Sequence, residues 1–109
     1  MNYEIISTPS FLRKIKKLSK KYPSLKEEII ELREKLQSNP NLGVKVFKNC
    51  YKIRLAIKSK GVGKSGGARI ITHVVIQDRT IYFLTIYNKA ESENVTDSEI
   101  LMILKNLIN

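Results

Sequence analysis

Residues 50–89 read CYKIRLAIKSKGVGKSGGARIITHVVIQDRTIYFLTIYNK, and the fold is decided there. Three runs rich in β-branched and aromatic residues are joined by one glycine-rich loop and one tight turn, the pattern of consecutive antiparallel strands. From Tyr51 to Lys58 alternation is clean: Tyr51, Ile53, Leu55 and Ile57 face one way, and Lys52, Arg54 and Lys58 the other. Gly61, Gly63, Gly66 and Gly67 loosen the loop that follows. Ala68–Ile76 is the second predicted strand, with Arg69, Ile71, His73 and Val75 on one face. Gln77–Thr80 makes the hairpin turn, and Ile81–Lys89 is the third strand, with Lys89 in phase with Tyr87, Thr85 and Phe83. Lys52, Arg54, Lys58, Lys60, Lys64, Arg69, Arg79 and Lys89 are cationic, whereas Asp78 is the sole acid of the stretch. So unbalanced a sheet repels itself unless a polyanion neutralises it, and RNA is the expected ligand.

The flanking sequence supplies the layers. Tyr3–Ser7 reads as a first strand, ended by Thr8 as N-cap and Pro9 at the first helical position. Phe11, Ile15, Leu18 and Tyr22 then recur at helical spacing. The opposite side of that helix carries Arg13, Lys14, Lys16, Lys17, Lys20 and Lys21 without an acid. A solvated face explains such a run as well as phosphate contact does; Lys16, Lys17 and Lys20 are the candidates for the latter. Pro23 ends this helix, and Ser24-Leu25-Lys26-Glu27 has the form of a capping box opening a second, with Leu25, Ile29, Leu32 and Leu36 as its apolar stripe. Val44–Phe47 is a candidate short strand. Thr96-Asp97-Ser98-Glu99 is a second capping box, starting a helix through Ile108 that is apolar over most of its circumference. Such a helix either packs on both sides within one domain or offers part of itself to a partner.

The totals restrict the function classes. A chain of 109 residues, 42% apolar, supports one modest core without disulfides or metal. A net charge of +10 points to nucleic acid, the ribosome, an acidic protein or an anionic membrane surface. Cys50 is the single cysteine, Met1–Ile6 lacks the marks of a signal peptide, and no apolar run reaches membrane-spanning length; the expected location is the cytoplasm. Gly63-Lys64-Ser65 resembles the end of a P-loop, but the pattern requires glycine where Lys58 stands, and the loop leads into a strand. One histidine and one cysteine make no zinc set, and neither metal nor cofactor is expected.

The order of elements and three motifs resemble the RelE/ParE toxin superfamily. Cys50-Tyr51-Lys52-Ile53-Arg54-Leu55 is similar to the basic strand of RelE. Gly63-Lys64-Ser65-Gly66-Gly67-Ala68-Arg69-Ile70-Ile71 resembles the loop and strand of HigB-type members, and Leu84-Thr85-Ile86-Tyr87-Asn88-Lys89-Ala90-Glu91 resembles their following strand. The resemblance implies an α+β fold over residues 1–109. Its small, mostly antiparallel sheet has a helical hairpin on one face and a C-terminal helix, in the order β-α-α-β-β-β-α. It further implies the toxin of a type II toxin–antitoxin pair, an endoribonuclease that cuts mRNA in the ribosomal A site, with a cognate antitoxin protein as partner.

Metal-free RNA cleavage needs a base for the 2′-hydroxyl, cations at phosphorus and an acid for the leaving oxygen. Arg54 and Arg69 suit the cation role because a guanidinium is permanently charged and forks onto phosphate oxygens. Lys52, crowded by Arg54, Arg69 and Lys89, is the candidate base, since like charges favour the neutral amine. Lys89 stands where RelE has arginine by resemblance, and is the candidate acid or second clamp. Lys58, Lys60 and Lys64 are expected on ribosomal RNA backbone. By resemblance RelE has a tyrosine beyond its last basic residue; Val95 and its neighbours offer none, leaving Tyr87 or His73 for stacking or proton transfer. Two other readings fit the same charge: a ParE-like inhibitor of DNA gyrase, although ParE proteins generally lack this basic set, and an RNA-binding domain without catalysis.

Overall fold

The computed structural model describes residues 2–61, 66–90 and 95–108. Strand β1 (Glu4–Ser7) leads to helices α1 (Pro9–Lys21) and α2 (Leu25–Ser38). Strands β2 (Val44–Phe47), β3 (Cys50–Leu55), β4 (Ala68–Val75) and β5 (Thr80–Asn88) follow, and helix α3 (Asp97–Ile108) closes the chain. The sheet order is β1-β5-β4-β3-β2, with β1 parallel to β5 and the other neighbours antiparallel. This is the expected α+β arrangement with one more strand after the helical hairpin, because Val44–Phe47 does pair. Its turn onto β3 holds Lys48 and Asn49 at φ 33° and 62°, the left-handed geometry of a two-residue hairpin, without glycine.

Burial on the two faces follows the alternation. Ile53, Ile70, Val74, Ile81, Phe83 and Ile86 meet Phe11, Leu18, Leu25, Ile29, Leu32 and Leu36 of the hairpin in the main core. On the other face Cys50, Ile71 and Leu84 meet Ile100 of α3, flanked by Ile103, Leu104 and Leu107, while Met102 points out to solvent. Thr8 ties the layers together. Its Oγ1 accepts from the Phe11 N–H at 3.2 Å, and its hydroxyl lies 2.9 Å from both the Phe83 and Leu84 carbonyls.

Three local expectations are corrected. Ser24 makes no side-chain cap; its hydroxyl approaches Glu28 Oε1 at 3.2 Å and Ser59 Oγ at 2.8 Å. The buried Glu28 accepts from the Lys58 N–H at 2.7 Å, because the chain leaving β3 turns back over α2 and leaves that amide in need of an acceptor. Pairing of β4 with β5 slips between Ile71 and Thr72, so Leu84 is an extra residue and Leu84 and Thr85 lie on one side. Phe83 is thereby out of phase with Tyr87: it packs 4.9 Å from Phe11 in the main core, and Lys89 falls in the turn beyond the strand.

His73 sits opposite Cys50 and Tyr82. Its Nδ1 is 3.6 Å from Cys50 Sγ, and its ring stacks on Tyr82 at 6.3 Å. Burial lowers the imidazole pKa against the opposing pull of the Asn49 and Lys48 backbones, and burial pushes the Cys50 thiol up to about 11. Cys50 is therefore an unreactive core thiol.

Two outcomes follow from this packing. A Cβ on Gly67 would overlap the Leu55 carbonyl oxygen, so Gly67→Ala is expected to cost about 1–3 kcal/mol in chemical denaturation. His73 is the only histidine, and its folded-state pKa lies below the unfolded one. Its contribution to stability is complete above about pH 6.5 and is lost as pH falls from there through the folded value. Imidazole NMR titration and denaturation midpoints between pH 7 and 5 check this; a His73 that titrates above 6.5 contradicts it.

Candidate active site

Register brings the predicted cations into adjoining rows on the face that carries α3. Arg54 pairs with Arg69, which pairs with Tyr87; one step along, Lys52 pairs with Ile71, which pairs with Thr85. Neighbouring strands lie about 4.8 Å apart and same-face residues about 6.7 Å apart, so these side chains arise from one patch roughly 10 Å across. Lys52 is half-buried, Arg54 exposed, and Arg69 only 6% exposed, its guanidinium donating to the Ala68 carbonyl at 3.1 Å. Arg69 thus charges the patch from beneath. Burial raises the Tyr87 phenol pKa, and the Arg69 charge pulls it back down. The phenol therefore stays protonated at neutral pH and can donate.

An open cleft of about 560 Å³ borders this patch, lined by Lys52, Ile71 and Tyr87 from the sheet, Lys45 and Val46 from β2, and Val95, Thr96, Asp97 and Ile100 around the start of α3. That start is built as expected, with the Glu99 N–H donating to Thr96 Oγ1 at 3.2 Å. A second cleft of about 600 Å³ runs between α2 and the β3 margin beyond β2. It also touches Lys52 and Arg54, but Leu32, Leu42, Ile53 and Leu55 give it an apolar wall. The first cleft is the one that both Tyr87 and Lys52 line.

The other predicted residues lie around this centre. The exposed Lys89 follows Tyr87 by two positions, its N–H donating to the Gly67 carbonyl at 3.0 Å. Lys58 is exposed in the 3-10 turn Lys58–Lys60, held at its base by Glu28. The Lys60 side chain and all of Lys64 lie outside the described residues. Lys16, Lys17 and Lys20 are exposed on α1, a helix packed on the opposite face. His73 lies one same-face step beyond the Lys52–Ile71 row and four positions from Arg69, about 13 Å, with its ring against Cys50 and Tyr82. Lys45 was missed, although its place in the Val-Lys-Val run of β2 marks it as the polar position of a strand. Among the described residues no three His, Cys, Asp or Glu side chains gather as a metal site would require, and no helix is long and apolar enough to cross a membrane.

Residues 4–107 match the family model described as the RelE toxin of the RelE/RelB toxin–antitoxin system. Among solved structures, a doubly substituted mutant of the E. coli toxin RelE in the free state shares 19% identity at a TM-score of 0.62, over 85% of this chain and 90% of that one. The RelBE2 toxin–antitoxin complex from Mycobacterium tuberculosis matches at 16% identity and a TM-score of 0.61, over 81% of this chain and 99% of that one. The intact E. coli RelBE toxin–antitoxin complex matches at 22% and 0.53, over 79% and 95%. These structural likenesses carry the fold, and the family match over nearly the whole length carries the kinship: the chain belongs to the RelE toxin family.

Proposed function

We propose that this chain is the toxin of a type II toxin–antitoxin pair and an endoribonuclease that cuts mRNA in the ribosomal A site. The observation that carries the reading is the row Arg54–Arg69–Tyr87 next to the row that holds Lys52: Lys52 and Tyr87 line one cleft, and the two arginines stand on the same sheet face between and beside them. The substrate 2′-oxygen attacks phosphorus while Lys52 takes its proton. The bond from phosphorus to the 5′-oxygen breaks, and Tyr87 gives that oxygen a proton. A 2′,3′-cyclic phosphate and a 5′-hydroxyl end result, with no net gain or loss of protons. Arg54 forks onto the non-bridging oxygens, and Arg69 adds charge from below. Lys89 is the second clamp, and Lys58, Lys16, Lys17 and Lys20 meet ribosomal RNA backbone. The site of action is the cytoplasm, and a cognate antitoxin restrains the toxin, as the structures of RelE with RelB partners support.

Arg54→Ala is expected to lower cleavage on programmed ribosomes by about 10²–10³-fold, the scale of losing one transition-state charge contact. Lys52→Ala is expected to cost about 10²–10⁴-fold in the same assay. Tyr87→Phe, which keeps the ring, should slow cleavage about 10²-fold while leaving ribosome binding intact. Mapping of 5′ ends in cells after brief induction reads the same reaction in vivo. Intact mRNA together with inhibited supercoiling by DNA gyrase would sink the nuclease reading.

A further inference from the structure

Lys14 belongs to α1, which packs on the sheet face opposite the cleft, yet its Nζ lies 2.9 Å from Thr85 Oγ1. Thr85 faces the cleft side. It pairs with Ile71 and, through the bulge, shares a side with Leu84, and both of those neighbours pack under α3. β1 ends at Ser7, opposite Phe83, and Thr8 engages the carbonyls of Phe83 and Leu84, so at Thr85 the margin of β5 has no strand paired to it on that side among the described residues. Lys14 therefore passes round the margin of β5 and delivers an ammonium to the row that starts at Lys52.

The contact is costly for what it returns within the protein. Fixing a lysine side chain forfeits the rotamer freedom of a long, flexible stem. Thr85 is 1% exposed and neutral, so it orients the ammonium without cancelling its charge. Lys14 itself is exposed, and an ammonium has three donors, of which the threonine needs one. A cation held this way is pre-positioned for an anion that comes from outside.

We propose that Lys14, positioned by Thr85, is a further phosphate-binding residue of this site, gripping an RNA phosphate adjacent to the one held by Arg54. The proposal rests on the RNA-cleaving reading above. Two strand spacings, about 10 Å, separate the Thr85 and Lys52 positions, so Lys14 serves a neighbouring phosphate and not the scissile one. It should therefore govern substrate affinity and register more than the chemical step.

The test compares Lys14→Ala and Lys14→Gln with Lys26→Ala, which removes an exposed charge from α2. KM and kcat are measured on programmed ribosomes, and binding is measured against salt on the same complexes carrying a 2′-deoxy nucleotide at the cleavage position. Both Lys14 variants should raise KM about tenfold with kcat nearly unchanged, and should lower the salt slope by about 0.7, the value for one phosphate contact on a single strand. Thr85→Val should raise KM less, leave the slope intact and add nothing to Lys14→Ala, whereas Thr85→Ser should behave as wild type. Lys14 variants matching Lys26→Ala in KM and slope would overturn the assignment. If the wild-type chain binds but never cuts, the nuclease reading falls while the slope comparison still decides Lys14.

Discussion

The sheet's two faces are covered unequally, and most of the site follows from that. The helical hairpin buries one face from Ile81 and Val74 up to Ile53, Ile70 and Ile86. On the other, α3 packs over Cys50, Ile71 and Leu84, and its start lies against the cleft that Lys52 and Tyr87 line, with Arg54 and Arg69 in the adjoining row. Strand residues there cannot all be apolar, for they would leave an exposed greasy patch. They are cationic instead, and apolar packing beneath and beside them holds their backbone still. A rigid base matters because charge contacts reward pre-placed groups.

The bulge in β5 tunes this division. Without the extra residue at Leu84, either Phe83 would leave the main core or Tyr87 would turn toward the hairpin. With it, Phe83 packs at a tilt against Phe11 while Thr85 and Tyr87 both stand on the face that carries α3. One inserted residue thus lets a single strand serve the hairpin core at one end and the cationic patch at the other.

Much of this was legible beforehand because period two belongs to the extended chain itself. Alternation alone separated Ile53 and Leu55 from Lys52 and Arg54, and Arg69 from Ile70. The Thr8 cap and the Thr96 box were legible because capping is a local exchange of hydrogen bonds. What escaped depends on partners distant in the chain. The bulge answers to Phe11, 72 positions before Phe83 in sequence. Arg69 reads as an open clamp until its neighbours bury it. Ser24 looked like a cap and instead holds Ser59, and His73, on the face of Arg69, has its ring against Cys50 and Tyr82 beyond the Lys52 row.

The parallel pairing of β1 with β5 bears on how such a chain is made. Glu4 to Ser7 find their partners only in Thr80 to Phe83, 76 positions further along, so β1 stays unsatisfied until that stretch has been made. Thr8, too, has no carbonyls to engage until Phe83 and Leu84 have emerged. Contacts this remote in sequence form late and slowly. Arg69 and Tyr87 lie on β4 and β5 themselves, so the cationic patch takes shape together with this late pairing.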